Sequence, residues 1–252
     1  MKKFALMACV LALAACGPGP ETKKEEKVEA PPPAAPAAPA ESAPIVPMKT
    51  EAPAGAYTLD KAHANLEFRV SHMGFSNYTA RFATFDAKLQ LDPANPAASS
   101  VTATIDPKSL TLPTPPKGFV EELLNEKWLG AAAFPEMTFK STKVELTGPT
   151  TARITGDLTL KGATAPVTLD ATFNGGYAGN QYDPNARIGI SAKGTLSRTA
   201  FGVKEGVPPP GSNFGVGDNV EIVIEAEFNG PPLAKPAPAL AAASFIRPRR
   251  KV

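Results

Sequence analysis

Between Tyr57 and Asn229 the apolar residues recur at every second position, and this period of two constrains the fold more than any other feature of the chain. Leu66, Phe68, Val70 and His72 alternate with Glu67, Arg69 and Ser71, as in a strand with one face buried and the other in water. The pattern returns six times. Phe85, Ala87, Leu89 and Leu91 share a face, as do Val101, Ala103 and Ile105, then Ile154, Leu158 and Leu160. Val167, Leu169, Ala171 and Phe173 follow, then Ile188, Ile190, Ala192 and Leu196, and last Val220, Ile222, Ile224, Ala226 and Phe228. With the Met137–Leu146 segment this predicts about eight strands. The phase breaks between Phe82 and Phe85, and between Phe139 and Val144, each predicting a bulge that bends a long strand. Turns are expected at Asn174-Gly175-Gly176 and Thr147-Gly148-Pro149. The fold class that follows is all-β, a closed antiparallel eight-stranded barrel whose interior is just wide enough for one slender ligand.

One segment departs from the period. The run KGFVEELLNEKWL after Thr114-Pro115-Pro116 places Val120, Leu123, Leu124 and Trp128 on one helical face, with Thr114 as its cap and proline in its first turn. It reads as one amphipathic helix that closes the bottom of the core or lids a mouth.

Proline marks the borders of the domain. Of 28 prolines, ten fall in residues 17–56 and five in 230–252. Residues 17–56 include PPPAAPAAPA and the charged run ETKKEEKVE, with almost no large apolar side chains, and read as a disordered tether. Residues 230–252 read as a similar tail with a basic end, Arg247, Arg249, Arg250 and Lys251. The barrel domain is placed at 57–229, long enough to fold without a metal or a disulfide.

The first sixteen residues read as an export signal: Lys2 and Lys3, then ten apolar residues from Phe4 to Leu13, too few to span a bilayer. Leu13-Ala14-Ala15-Cys16 resembles the lipobox of bacterial lipoproteins, which makes Cys16 the expected lipidation site. Several acyl chains on one residue exceed what stable membrane residence requires. By the same resemblance Gly17 favours the outer membrane, with the domain facing the periplasm in the cell envelope.

Composition removes several function classes. The net charge is +2, but residues 57–229 hold 15 Lys/Arg against 18 Asp/Glu with no basic cluster, so a nucleic-acid partner is not expected. Both cysteines, Cys9 and Cys16, precede the domain, which leaves it without thiol nucleophiles or zinc thiolates. Its two histidines, His63 and His72, stand nine residues apart, and no HExxH, CxxC, GxSxG, dinucleotide or phosphate-loop pattern occurs. The expectation is a non-enzyme with no catalytic residue, no metal and no cofactor.

The order Tyr57-Thr58-Leu59-Asp60, Ala62-His63, then Leu66 to His72, followed by FATF, FPEMTFKS, GDLTLKG and RTAFG, resembles the YceI-like family of bacterial envelope proteins over essentially all of residues 57–228. The resemblance implies a lipocalin-like extended barrel that binds a long amphiphile, such as a polyisoprenoid, a quinone or a fatty-acid derivative. Where many members carry an Arg-Asp-x-His-Leu stretch before the helix region, this chain has KGFVEELLNEKWL, so no role of that stretch is carried over.

A site for a chain-like lipid needs an apolar tube and a few polar groups at its opening. Inward parity nominates Phe68, Val70, Phe85, Leu89, Phe139, Leu158, Leu169, Ile190, Ile222 and Ile224 for the wall, with Trp128 and Phe134 near the helix. His72 continues the inward row at a strand end and is the expected head-group donor. His63, three residues after Asp60 in a turn-like DKAHAN segment before the first strand, is expected to bond locally, and Arg198 to pair with a carboxylate inside the protein, the alternative being an anionic head group. The alternative function is an envelope interaction module with a filled barrel, using the Gly/Pro-rich loop from Gly202 to Asn219; its protein partner is unknown.

Overall fold

The computed structural model describes residues 44–233. The leader, Cys16, residues 17–43 of the tether and the tail from 234 onward lie outside the described residues. Ten strands form: β1 (Gly55–His72), β2 (Ser76–Phe82), β3 (Phe85–Leu91), β4 (Ser100–Ile105), β5 (Leu110–Thr111), β6 (Met137–Leu146), β7 (Thr151–Leu160), β8 (Ala163–Tyr177), β9 (Asn185–Ser197) and β10 (Val216–Pro232). Eight of them close a ring in the order β1-β3-β4-β6-β7-β8-β9-β10, with β10 pairing back onto β1. Closure pairs the edges that an open sheet would expose.

The two remaining strands prolong the ring. β1 pairs with β3 through Gly55–Thr58 and with β2 through Glu67–His72, and β2 in turn pairs with β5. The phase break between Phe82 and Phe85 is therefore a full interruption rather than a bulge. Its cause is local bonding: Ala83 N–H donates to Ser109 C=O (3.0 Å) and Thr84 C=O accepts from Asp106 N–H (3.1 Å). Residues 83–84 leave the ladder to bond the 3₁₀ turn Pro107–Ser109, where Pro107 has no N–H to offer a strand. The break between Phe139 and Val144 is the expected bulge, at Ser141–Lys143.

Three further expectations are corrected. First, Asn174-Gly175-Gly176 makes no turn: Gly175 forms a bulge within β8, and Gly176 lets Ile188 and Ala52 press close, so the strand continues to Tyr177. Second, β1 begins at Gly55, not Leu66. A register shift between Leu59 and Ala64 flips its parity, so Tyr57 and Leu59 point inward before it and Leu66, Phe68 and Val70 after it. The DKAHAN segment is thus strand, distorted by the bulge.

Third, the helix α1 (Phe119–Leu124) is six residues long. Gly118, in the left-handed region (φ 81), stands at its start in place of Thr114. Asn125 turns to extended backbone and its Oδ1 accepts Lys127 N–H at 2.8 Å, ending the helix before Trp128. Phe119, Val120, Leu123 and Leu124 then pack on Ala80 of β2, Leu110 of β5 and Leu112 just after it.

The last residues assigned to the tether also differ. Residues 44–54 run as a strap against the barrel: Met48 N–H donates to Pro149 C=O at 2.8 Å, and Ala52 is 2% exposed. Ala52 joins Tyr57, Leu59, Ala186, Ile188 and Phe228 in a buried cluster at this strap end. At the opposite, rim end, β1 and β2 meet in a tight hairpin turn, with Met73 (φ 53) and Gly74 (φ 69) both left-handed and Phe75 N–H donating to His72 C=O at 3.0 Å.

Candidate functional site: an oblique apolar cavity

The inward rows do not all pack to zero exposure, and their gradients locate a void. On β10, Phe228 and Ala226 are buried, while Ile224, Ile222 and Val220 are half-buried. On β1, Tyr57 and Leu59 are buried, Leu66, Phe68 and Val70 half-buried, and His72 exposed. The facing wall runs the other way, with Met137 and Phe139 of β6 buried and Val144 and Leu146 half-buried. Apolar side chains that point into a closed ring yet keep accessible surface are facing space, because packed interiors leave few gaps larger than a water molecule. The space is a cavity of about 540 Å³, within the range of small-molecule pockets. It crosses the barrel obliquely, from the rim at His72 and Val216 to the strap at Pro47 and Met48.

Of the residues nominated from parity, Phe68, Val70, Phe85, Leu89, Phe139, Leu158, Leu169, Ile190, Ile222 and Ile224 all stand on the cavity wall, and so does Trp128. Phe134 does not. It lies outside the wall, partly exposed, against Gly130 and Gly162, since the chain after the short helix turns away before reaching it. His72 is at the rim as expected, but exposed rather than enclosed.

Arg198 follows a different rule from the one expected. It is 5% exposed and pairs with backbone rather than with a carboxylate: Nε donates to Gly217 C=O (2.8 Å), Nη1 to Val203 C=O (3.0 Å) and Nη2 to Val216 C=O (2.8 Å). Burial lowers its pKa from the ordinary guanidinium value. The Trp128 ring lies against the guanidinium, 5.4 Å from its carbon, within cation–π range. Asp218 is engaged elsewhere, accepting from Ser197 Oγ–H and Thr199 N–H. Arg198 therefore clamps the loop after β9 to the first residues of β10, beside the rim. Among the described residues, Trp128 Nε1 is the buried side-chain polar atom without a hydrogen-bond partner.

On the outer wall, nearer the strap end, Arg187 gathers carboxylates from three elements. Its Nη1 donates to Asp60 Oδ2 and Glu227 Oε2, both at 2.7 Å, and its Nε to Asp183 Oδ2 at 3.2 Å. His63 Nδ1 lies 3.0 Å from Asp60 Oδ2, the local bond expected of it. The bonds from His63 and Arg187 hold the Asp60 carboxyl well below the usual carboxylate range. Asp60, His63 and Glu227 are close enough together to suit a cation, but the Arg187 guanidinium already supplies the positive charge between the two carboxylates.

Parity in the sequence misses the strap residues Pro47 and Met48 and the clamp around Val203 and Val216. The strap sits in a proline-rich stretch without periodicity. The clamp depends on one arginine reaching carbonyls up to 19 residues away, and no local pattern encodes that.

Comparison with known proteins agrees with this architecture. The YceI-like domain model matches residues 57–228. A UPF0312 protein of Pseudomonas putida (strain W619) is 37% identical over 156 residues, covering 61% of this chain and 79% of the relative. Among solved structures, BcnA of Burkholderia cenocepacia aligns with a TM-score of 0.56 at 25% identity, over 67% of this chain and 98% of that one. The YCEI protein of Campylobacter jejuni aligns at 0.51 and 28%, over 69% and 96%. A closed eight-stranded barrel with a small helix, matched by the family's model over residues 57–228, places this chain in the YceI-like family.

Proposed function

We propose that this protein binds, sequesters or carries a long-chain amphiphile inside its barrel, as a lipid-anchored, periplasm-facing protein of the cell envelope and not as an enzyme. The observation that carries the reading is the oblique cavity, whose wall is almost wholly aliphatic and aromatic. Such a wall gains only from burying apolar surface, at about 25 cal/mol per Å² before the costs of binding. A polyisoprenoid, a quinone tail and an acyl chain all meet that requirement. Polar side chains stand at both ends of the wall, His72 beside the Trp128 indole and the Arg198 clamp at the rim, and Thr50, Ser99, Ser100, Thr150 and Thr151 toward the strap. The alternative of an interaction module with a filled interior is disfavoured by the hollow barrel. Anchoring rests on the Cys16 motif, and periplasmic residence on the leader and Gly17. Among the described residues no helix is long and apolar enough to cross a membrane.

Native mass spectrometry of protein taken from its own envelope, followed by solvent extraction, tests the reading. A stoichiometric isoprenoid or acyl species is the expected result. An empty barrel that also ignores added 16-carbon acyl probes would overturn it. Ala103→Phe, which projects a ring from β4 into the cavity, is expected to weaken such a probe at least tenfold while leaving the barrel folded. Cys16→Ser is expected to release the protein from the membrane fraction.

A further inference from the structure

The two most exposed phenylalanines among the described residues are Phe75, 85% exposed, and Phe214, 72% exposed. They stand on separate loops that the fold ties together. Met73 N–H donates to Gly215 C=O at 2.7 Å, and Gly74 lies directly against Asn213. Each phenylalanine also follows or precedes a cavity-lining residue by at most three positions, His72 in one case and Val216 in the other, and those two are register partners. The aromatic tips therefore border the rim of the cavity rather than some unrelated face.

Charge distribution identifies what they meet. One residue in five of this chain is charged, yet from Gly206 to Gly217 there is no ionisable side chain, and between Val70 and Arg81 only His72 and Tyr78. A protein partner would ordinarily be selected through charges and hydrogen bonds around such anchors. Two charge-free tips of Gly, Pro, Ser, Asn and Phe instead suit a bilayer interface, where inserted charges are costly and aromatic rings are favoured. Resting on the function proposed above, we infer that the Phe75/Phe214 rim inserts into a lipid surface, so that cargo passes between membrane and cavity without crossing water. The anchor proposed at Cys16 permits this. The described chain starts at the strap end, and residues 17–43 can reach about 80 Å if extended, against about 60 Å for the 18 residues of β1.

The test uses the full lipid-anchored chain reconstituted on vesicles of phosphatidylcholine and phosphatidylglycerol containing brominated acyl chains. Phe75→Trp places a reporter on the rim, and Tyr182→Trp, at an 89% exposed position near the strap end, serves as control. Both are read over the Trp128 background. The indole added by Phe75→Trp is expected to lose at least two thirds of its emission, with a blue shift, while the indole added by Tyr182→Trp is unaffected. Equal, unquenched signals from the two variants would overturn the inference. A second measurement follows transfer of a pyrene-labelled 16-carbon acid from vesicles. Phe75→Ser with Phe214→Ser is expected to slow uptake at least tenfold without changing equilibrium affinity for the same probe added from solution. Uptake at the parental rate would likewise overturn the rim's role. If the parent binds no probe from solution, the carrier reading fails, whereas the quenching experiment still decides the rim on its own.

Discussion

The two ends of this barrel are made from the same strands and behave as opposites. At the strap end, Tyr57, Ala186 and Ile188 are buried to 1% or less, the chain's own residues 44–54 lie across the opening, and Arg187 draws three acidic groups onto the outer wall. At the rim end, the inward residues of β1 and β10 keep part of their surface, and the tips at 73–75 and 206–215 carry exposed phenylalanines and no charge. The contrast shows that closing a ring of strands does not by itself fill it. On β1, β9 and β10 it is filled where the strap and small residues, Ala52 and Ala186 among them, let side chains meet.

The largest effect that separates the two ends is expected at the packed one. Ile188→Ala should cost about 3 kcal/mol, as for other fully buried aliphatic truncations, whereas Val70→Ala, facing space, should cost less than about 1 kcal/mol. Chemical denaturation of the two variants checks this, and equal losses would erase the distinction. Arg198→Lys comes next. A lysine cannot serve three carbonyls set around a planar fork, so loss of about 2 kcal/mol and faster amide exchange at Val203 and Val216 are expected.

Smaller still is the outer network. Arg187→Gln should cost about 1 kcal/mol, since these ion pairs are partly exposed. Because Asp60 is held below its ordinary value in the folded state, its contribution is complete above its unfolded pKa of about 4 and is lost as the pH falls below that. The Asp60→Asn variant should accordingly show a flatter melting temperature below pH 4 than the parent. The smallest effect is expected for His72→Ala, within about 0.5 kcal/mol of the parent, because its ring is already exposed at the rim. A larger loss would mean that His72 supports the turn and not only the opening.

Much of the wall is legible in the order of residues alone. Parity selects Phe68, Leu89, Phe139, Leu169 and Ile222, because a strand puts every second residue on one face whatever its partners are. Parity fails where the backbone escapes its period. The bulge between Leu59 and Ala64 hides Tyr57 and Leu59, two of the buried anchors, and the two glycines at 175–176 look like a turn in sequence but serve a bulge and a close contact in space. The helix is shorter than its spacing implies for a related reason. The apolar spacing runs on to Trp128, but Asn125 leaves helical backbone, and the indole finds Arg198, 70 positions later, instead of a place on a helical face.

Closure into an antiparallel barrel of eight strands with an apolar interior follows from the order of residues, because the period of two and its interruptions are local properties of strands and turns. That the interior is hollow, that the hollow runs obliquely, and which end is covered follow only from the folded arrangement. Those depend on how far apart facing walls stand once β10 pairs with β1, and on where a strap, a clamp and two loop tips come to rest. That spacing belongs to the closed ring as a whole, and no stretch of chain carries it alone.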